Sequence, residues 1–307
     1  MEKISFFSYK GGSGRSSIAY NVIPFLAESL GATSENPIIV VDMDVDSAGM
    51  TYLLQAESDE PTRKGKYYTT QEFLEGDIPG SVNTPNDCPI NNHPFFSRLN
   101  PVGTEFGLGC GEQNDRKILL IEAEPGYNFD SYNGGGRATN PILKLARLCN
   151  NYGCKALIFD TPSGDQQTAK WSIAASNIVV CCMRVTVQFR YGTINYLKRK
   201  DLEHADKRFI VVPNAVPQDP VMIRGVKYDF DFMHKDMFED FEKIKLKNNK
   251  LDMGMFEDGY LGIPEVKRFK FREGILFKEK NRQNDEELAI KSYEKLSSLI
   301  LRSSHGS

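Results

Sequence analysis

Short apolar runs rich in Val, Ile and Phe alternate along the chain with stretches whose apolar positions recur at helical spacing. Ile4–Ser8 (ISFFS) reads as a strand, followed by a glycine loop and a helix from about Ser16 to Leu30. Pro37–Asp44 (PIIVVDMD), Lys117–Glu124 (KILLIEAE), Ala156–Asp160 (ALIFD), Asn177–Met183 (NIVVCCM) and Arg208–Pro213 (RFIVVP) read as further strands, with Val266–Phe271 a weaker one. Helical patterns cover Pro141–Asn150, the segment after Asp160, about Phe189 to His204, and Asp285–Leu301. Near-continuous apolar strands separated by helices predict a sheet buried on both faces. The expected fold class is therefore α/β: a mostly parallel, doubly wound sheet with helices on both faces and right-handed crossovers. Such sheets bind ligands at the carboxyl ends of their strands.

Two stretches break the alternation. Residues 56–116 are rich in Pro, Gly, Asn and Asp, with one helical piece near Thr70–Leu74, and residues 217–262 hold a charged, aromatic-rich helical segment, Asp229–Lys247. Both read as insertions or surface excursions on a single domain spanning 1–302, with 303–307 an added tail.

Composition narrows the class. The 307 residues are 40% hydrophobic and 26% charged, with a net charge of −3, which excludes a uniformly basic nucleic-acid binder. Residues 1–150 carry 12 basic and 19 acidic side chains, a net of −7; residues 151–307 carry 26 and 22, a net of +4. That mildly basic second half leaves room for a local anionic partner. No apolar run approaches the roughly 18 residues of a transmembrane helix, and the N-terminus enters a strand without a signal-peptide pattern. The six Cys form no CxxC pair and the four His are scattered, so reduced thiols in a cytoplasmic protein are expected, without a zinc site.

The sharpest feature is Ser8-Tyr9-Lys10-Gly11-Gly12-Ser13-Gly14-Arg15-Ser16-Ser17, between the first strand and the first helix. Glycines let backbone N–H groups turn onto phosphate oxygens, and the helix N-terminus adds partial positive charge. Ser16 supplies a hydroxyl where phosphate loops hold Mg²⁺. Against the standard G-x-x-x-x-G-K-[ST] pattern, Tyr9 replaces the first Gly and Arg15 the Lys. Arginine stays charged and binds phosphate bidentately, but its fork is bulkier and more rigid than an ammonium.

The run Lys10–Ser16 resembles the deviant Walker A motif, K-G-G-x-G-K-[ST], of the ParA/MinD family of P-loop ATPases. Further segments resemble that family in its own order over nearly the whole chain: Val40–Asp44, Thr70–Ile78, Leu119–Gly126, Asp160-Thr161-Pro162-Ser163-Gly164, Val211–Asn214, Gly262–Pro264 and the terminal helix. The resemblance implies ATP and Mg²⁺ as cofactors and a site assembled as follows. Gly11, Gly12, Ser13, Gly14, Arg15, Ser16 and Ser17 cradle the phosphates. Lys10 is the signature lysine that reaches a partner subunit's phosphates. Ser16, Asp42 and Asp160 hold Mg²⁺ or its water shell. Asp44 orients the attacking water, Gly164 senses the γ-phosphate within a switch over 160–168, and Asn214 meets the adenine. Asp46 reads as a solvated or capping residue.

Three features stay outside that site. Lys267-Arg268-Phe269-Lys270-Phe271-Arg272 alternates charge with aromatics, as a strand with one solvated face does; nonspecific DNA is the other reading of this patch. Lys198-Arg199-Lys200 reads as a charge cluster closing a helix. The terminal helix carries Leu288, Tyr293, Leu296, Leu299 and Ile300 on a stripe expected to pack into the core. The expected function is an ATP-dependent homodimerisation switch with slow hydrolysis that positions or regulates a protein partner. The alternative, motivated by Arg15, is a nucleotide-binding scaffold with negligible turnover.

Overall fold

The computed structural model describes residues 1–56, 67–76, 78–79, 88–108, 115–124, 141–200, 207–228, 230–244, 250–252, 255–256, 259–260, 262–270 and 273–302. The chain divides into two compact units, one of Met1–Ser5 with Leu26–Ser176 and one of Phe6–Phe25 with Asn177–Ser307. Strand β1 (Glu2–Phe7) and helix α1 (Arg15–Ser29) each give residues to both.

In the first unit the sheet order is β1, β5, β2, β4, β3. Strand β2 (Ile38–Asp42) lies parallel to β4 (Ile118–Ile121) and to β5 (Ala156–Asp160), while the two-residue β3 (Asn100–Pro101) runs antiparallel to β4. Every residue of β2, β4 and β5 is buried, which is why these strands read as continuous apolar runs. The strands are shorter than the apolar runs suggest: β2 stops at Asp42 and β4 at Ile121. Helices α2 (Gly49–Ala56), α3 (Thr70–Glu75), α4 (Pro141–Asn151) and α5 (Gln167–Ala175) follow. The buried face of α4, Ile142, Leu145, Ala146 and Cys149, keeps the i, i+3, i+4, i+7 spacing of an amphipathic helix.

The irregular stretch after α2 is not confined to the surface. Tyr68, Phe73, Leu74, Ile90, Phe95, Phe96 and Leu99 are buried and join the same core cluster as Ile39, Val41, Leu119 and Ile121. Its rings pack edge to face, with Tyr68 and Phe95 centroids 5.4 Å apart. Helix α3 starts where the sequence Thr69-Thr70-Gln71-Glu72 forms a capping box: Thr69 Oγ1 accepts from the Glu72 N–H, and Glu72 Oε2 accepts from the Thr69 N–H. His93 is a core residue, tilted against Phe96 and edge-on to Tyr152, with Nδ1 accepting from the Phe95 N–H at 3.2 Å.

In the second unit β6 (Ile178–Arg184) and β7 (Arg208–Asn214) are parallel, with β1 beyond β6 and the short β10 (Lys250–Asp252) along the outer edge of β7. Two small ribbons, β8 (Val221–Ile223) with β9 (Val226–Tyr228) and β11 (Met255–Phe256) with β12 (Gly259–Tyr260), complete the strands. The helices are α6 (Val187–Lys200), α7 (Phe230–Glu242) and α8 (Asn284–Leu301). A mostly buried ion pair, Arg190 Nε to Asp240 at 3.1 Å, ties α6 to α7. Cys181 lies inside β6, where burial pushes its thiol up to about 12, an inert packing group. Residues 201–206, the predicted end of the helix after β6, lie outside the described residues, as do 245–247, the predicted end of the 229–247 helix.

Two expectations are corrected here. The segment 266–271 is not a strand: Lys267–Lys270 is a 3-10 turn, with Phe271 outside the described residues. Arg268 supplies the reason. Its guanidinium bridges Glu279 at 3.2 Å and the buried Glu286 at 3.0 Å, while the Lys267 N–H is taken by Asp285, so the alternating charges are partly paired with the start of α8. On α8 itself, Tyr293, Leu296, Leu299 and Ile300 are buried as expected, but Leu288 is exposed and Ala289 and Ile290 take the core side.

Inside α1, the fully enclosed Asn21 acts as a backbone substitute. Its Nδ2 donates to the Gly274 carbonyl at 3.3 Å and its Oδ1 accepts from the Leu276 N–H at 2.9 Å. Asn21→Leu should therefore strand two buried backbone groups and cost about 2–4 kcal/mol by urea denaturation. A loss under about 1 kcal/mol would contradict that role.

Candidate nucleotide-binding site

The glycine loop lies in the second unit. Gly12 and Gly14 have φ of +75° and +78°, the left-handed region where L side chains are strained. Such an alternation turns successive N–H groups to one side, a concavity suited to an anion. A Cβ on Gly12 would meet nothing within 4 Å, whereas one on Gly14 would lie 2.0 Å from Asn214 Nδ2. Asn214 ends β7, and its Nδ2 donates to the Ser13 carbonyl at 2.8 Å. Arg184 ends β6, and its Nε donates to the Gly12 carbonyl at 2.8 Å. The Gly14 carbonyl accepts from the Ile18 N–H, which starts the helical ladder of α1. Gly11 is exposed at the loop tip, while Ser13 and Ser17 are buried. Arg15 is also buried, and its Nη2 donates to Ser16 Oγ at 3.2 Å.

A cleft opens beside the loop, lined by Gly14, Ser17, Arg184, Asn214, Pro264 and Tyr293 among others. Ile263–Glu265 forms its wall by running along the end of β7: Ile263 N–H donates to Pro213, Val216 N–H to Ile263, and Glu265 N–H to Val216. The segment Gly262–Pro264, singled out by sequence, therefore sits next to Asn214.

The loop departs from the standard pattern at Tyr9, and the space for that ring is made elsewhere. Gly192 of α6 faces it, and a Cβ there would come within 2.6 Å of Tyr9 Cδ1. Tyr9 also packs near Tyr196, which stacks on Phe7 at 4.4 Å. Lys10 is exposed, with Nζ donating to Gln188 Oε1 at 3.2 Å at the start of α6.

The acidic residues belong to the first unit. Asp42 and Asp160 are register partners at the ends of β2 and β5, and both are completely buried. Asp42 Oδ1 accepts from the Asp44 N–H at 3.1 Å, and Oδ2 accepts from Thr51 N–H and Oγ1 at 2.9 and 2.8 Å. Burial first, and the neighbouring Asp160 charge second, push the Asp42 carboxyl up from 3.8 to about 7, against the opposing pull of the Thr51 bonds. Two buried carboxyls side by side are a donor set that a divalent cation would neutralise, so these residues fit Mg²⁺. Asp44 is buried, and its Oδ1 accepts from the Ser47 N–H at 3.3 Å, a turn-capping bond. Asp46 is exposed, as expected. Gly164 has φ of +78°.

No protein-family model and no curated protein sequence matches the chain. Solved structures do. MinD of Aquifex aeolicus, in its complex with MinC, superposes with a TM-score of 0.60 at 15% identity, over 100% of this chain and 98% of that one. An McdA–ATP complex from Cyanothece gives 0.58 at 14%, covering 98% and 95%. A plasmid partition protein from Borrelia burgdorferi bound to AMPPNP gives 0.57 at 15%, covering 98% of each. The fold is that of the MinD and ParA-like ATPases. At such low identity the likeness concerns the fold alone.

Sequence reasoning missed three residues: Arg184, beside the glycine loop in the second unit, and Thr51 and Gln71, beside the strand ends of the first. Arg184 carried a signal: it is the one exposed residue at the end of an otherwise buried strand. Thr51 and Gln71 carried none. Thr51 Oγ1 also accepts from the Ala123 N–H, and Gln71 exchanges two hydrogen bonds with the Glu124 backbone, so both pin the segment after β4. Among the described residues no group of three His, Cys, Asp or Glu forms a metal cage, and no helix is long and apolar enough to cross a membrane.

Two outcomes follow from this geometry. Gly12→Ala and Gly14→Ala both incur about 1–2 kcal/mol for left-handed backbone, but Gly14→Ala must also displace Asn214, so it should lower the urea midpoint further. Equal losses would put Asn214 elsewhere. Because Asp42's carboxyl is raised when folded, its share of stability is present below its ordinary value and lost as pH rises through about 7. Metal-free protein in chelator should lose stability from pH 6 to pH 8, and Asp160→Asn should flatten that slope. An unchanged slope in the variant would contradict the coupling.

Proposed function

We propose that this chain is a Mg²⁺-ATP-dependent dimerisation switch of the ParA/MinD type, which hydrolyses ATP slowly and positions or regulates a protein partner in the cytoplasm. The observation that carries the reading is the glycine loop: two left-handed glycines flank Ser13, with the Gly12 and Ser13 carbonyls each held by a strand-end side chain. The MinD, McdA and partition proteins that share the fold include ATP, AMPPNP and Mg-ADP complexes, which supports the choice of nucleotide.

In this reading the backbone N–H groups over 11–17 bind the phosphates, and the start of α1 adds its partial charge. Ser16, Asp42 and Asp160 hold Mg²⁺ and its water shell; when bound, Mg²⁺ neutralises phosphate charge and stabilises charge developing during transfer. Asp42, whose carboxylate already accepts three hydrogen bonds, acts on the shell. Asp44 orients the attacking water. Gly164 brings its N–H to the γ-phosphate, and its left-handed backbone supports a hinge role within 160–168. Asn214, fixed through the Ser13 carbonyl, meets the adenine edge. Lys10 releases Gln188 to reach the phosphates of a second copy.

A second reading, an ATP-ordered scaffold with negligible turnover, is favoured by one contact. The Arg15 guanidinium donates to Ser16 Oγ, the hydroxyl on which a metal ion would otherwise draw. Partner identity and nonspecific DNA binding by the basic residues 267–270 rest on no comparable contact.

Light scattering with Mg²⁺ and ATP, ADP or no nucleotide, on wild type and Lys10→Ala, tests the switch. A dimer only with ATP and lost in the variant is expected; a monomer throughout refutes it. In the same samples, phosphate release at the no-enzyme level, restored by Arg15→Lys, selects the scaffold.

A further inference from the structure

We propose that Arg184 is a nucleotide-positioning residue, which works with Asn214 as a two-point clamp that presets the phosphate loop before any ligand arrives. The proposal rests on the nucleotide reading above and adds a residue to its site.

Arg184 and Asn214 are register partners, the last pair of the β6–β7 ladder, so their side chains leave the sheet next to each other. They take consecutive carbonyls of the loop, Arg184 Nε that of Gly12 and Asn214 Nδ2 that of Ser13, both at 2.8 Å. A trans peptide unit is planar, with its carbonyl and its N–H pointing in opposite directions. Drawing the Gly12 carbonyl toward β6 therefore turns the Ser13 N–H away from it. Drawing the Ser13 carbonyl toward β7 does the same to the Gly14 N–H. The left-handed backbone of Gly12 and Gly14 lets both peptides adopt this sense. Two strand ends thus aim two consecutive donors to one side.

The energetic argument is preorganisation. A glycine-rich segment loses more backbone freedom on ordering than any other. A ligand that had to impose this conformation would bind correspondingly more weakly. Arg184 suits the task because its donor is charged, and a hydrogen bond from a charged group is stronger than a neutral one. Among the described residues no carboxylate forms an ion pair with Arg184, so its positive charge stays at the loop. The chain holds Arg15 where other P-loops hold a lysine; fixing the loop from outside, through β6, does not depend on that residue.

The test is the affinity of the full-length chain for Mg²⁺-ATP and for Mg²⁺-pyrophosphate by calorimetry, with folding checked by circular dichroism and melting temperature. Wild type should bind both. Arg184→Ala should weaken both alike, by about tenfold to a hundredfold, with little change in melting temperature, and Arg184→Lys, which keeps a charged donor, should recover most of the loss. Binding in Arg184→Ala within about twofold of wild type overturns the clamp. So does a loss confined to ATP, which would place Arg184 at the base, or a lysine variant as weak as the alanine one. Wild type that binds neither ligand is a different failure: it removes the nucleotide reading, and the clamp with it.

Discussion

A strand that ends in a buried carboxyl must satisfy it, and in the first unit that requirement organises everything near the end of β2. Asp42 is enclosed beside Asp160, where an uncompensated charge is costly. Thr51 meets it with both its N–H and its hydroxyl, which places the start of α2. The same hydroxyl accepts from Ala123, which fixes the chain after β4. The Asp42 carbonyl accepts from Thr70 Oγ1, which anchors α3. One residue thus sets the position of two helices and a strand end, using groups separated by up to about eighty positions along the chain.

The glycine loop follows a different logic. Over Gly11–Gly14 its conformation is not imposed by its own side chains, which are small or absent, but by the carbonyls it surrenders to neighbouring strand ends. Loops that carry chemistry are generally placed by the rigid elements around them. Here the rigid elements are β6 and β7, whose buried residues tolerate no shift of register, because a one-residue slip would invert every side chain.

Much of this was legible in the sequence, and the reasons are specific. Ala156–Asp160 is a strand with the expected bounds because five buried positions end at one acid. The glycine loop announces itself through three glycines between a strand and a helix. The segment 266–271 misled because alternating charge and aromatic residues also arise in a turn whose arginine finds two carboxylates, and those partners lie 11 and 18 positions onward. The burial of Tyr68, Phe95 and Phe96 was hidden by the Pro, Asn and Gly around them: irregular backbone can carry core side chains without any periodicity to betray it. Gln71 acts on the Glu124 backbone and Thr51 partly on the Ala123 N–H, groups that every residue has, so no pairing of residue types could point to them; Arg184 showed only as the charged residue that ends an apolar strand.

Tyr9 and Gly192 carry a last consequence. The position that holds the first glycine of a standard phosphate loop is occupied by a large ring, and the glycine that makes room for it stands 183 residues later on α6. The two positions fill one space, so what either can hold depends on the other. A chain with this backbone that kept an aromatic residue at 9 would be held to glycine at 192, and one that regained glycine at 9 would be released to accept a side chain on the helix. The order of change runs one way: a side chain at 192 is blocked until the ring at 9 shrinks, so the loop's unusual spelling dictates a residue on a helix that never appears in the motif.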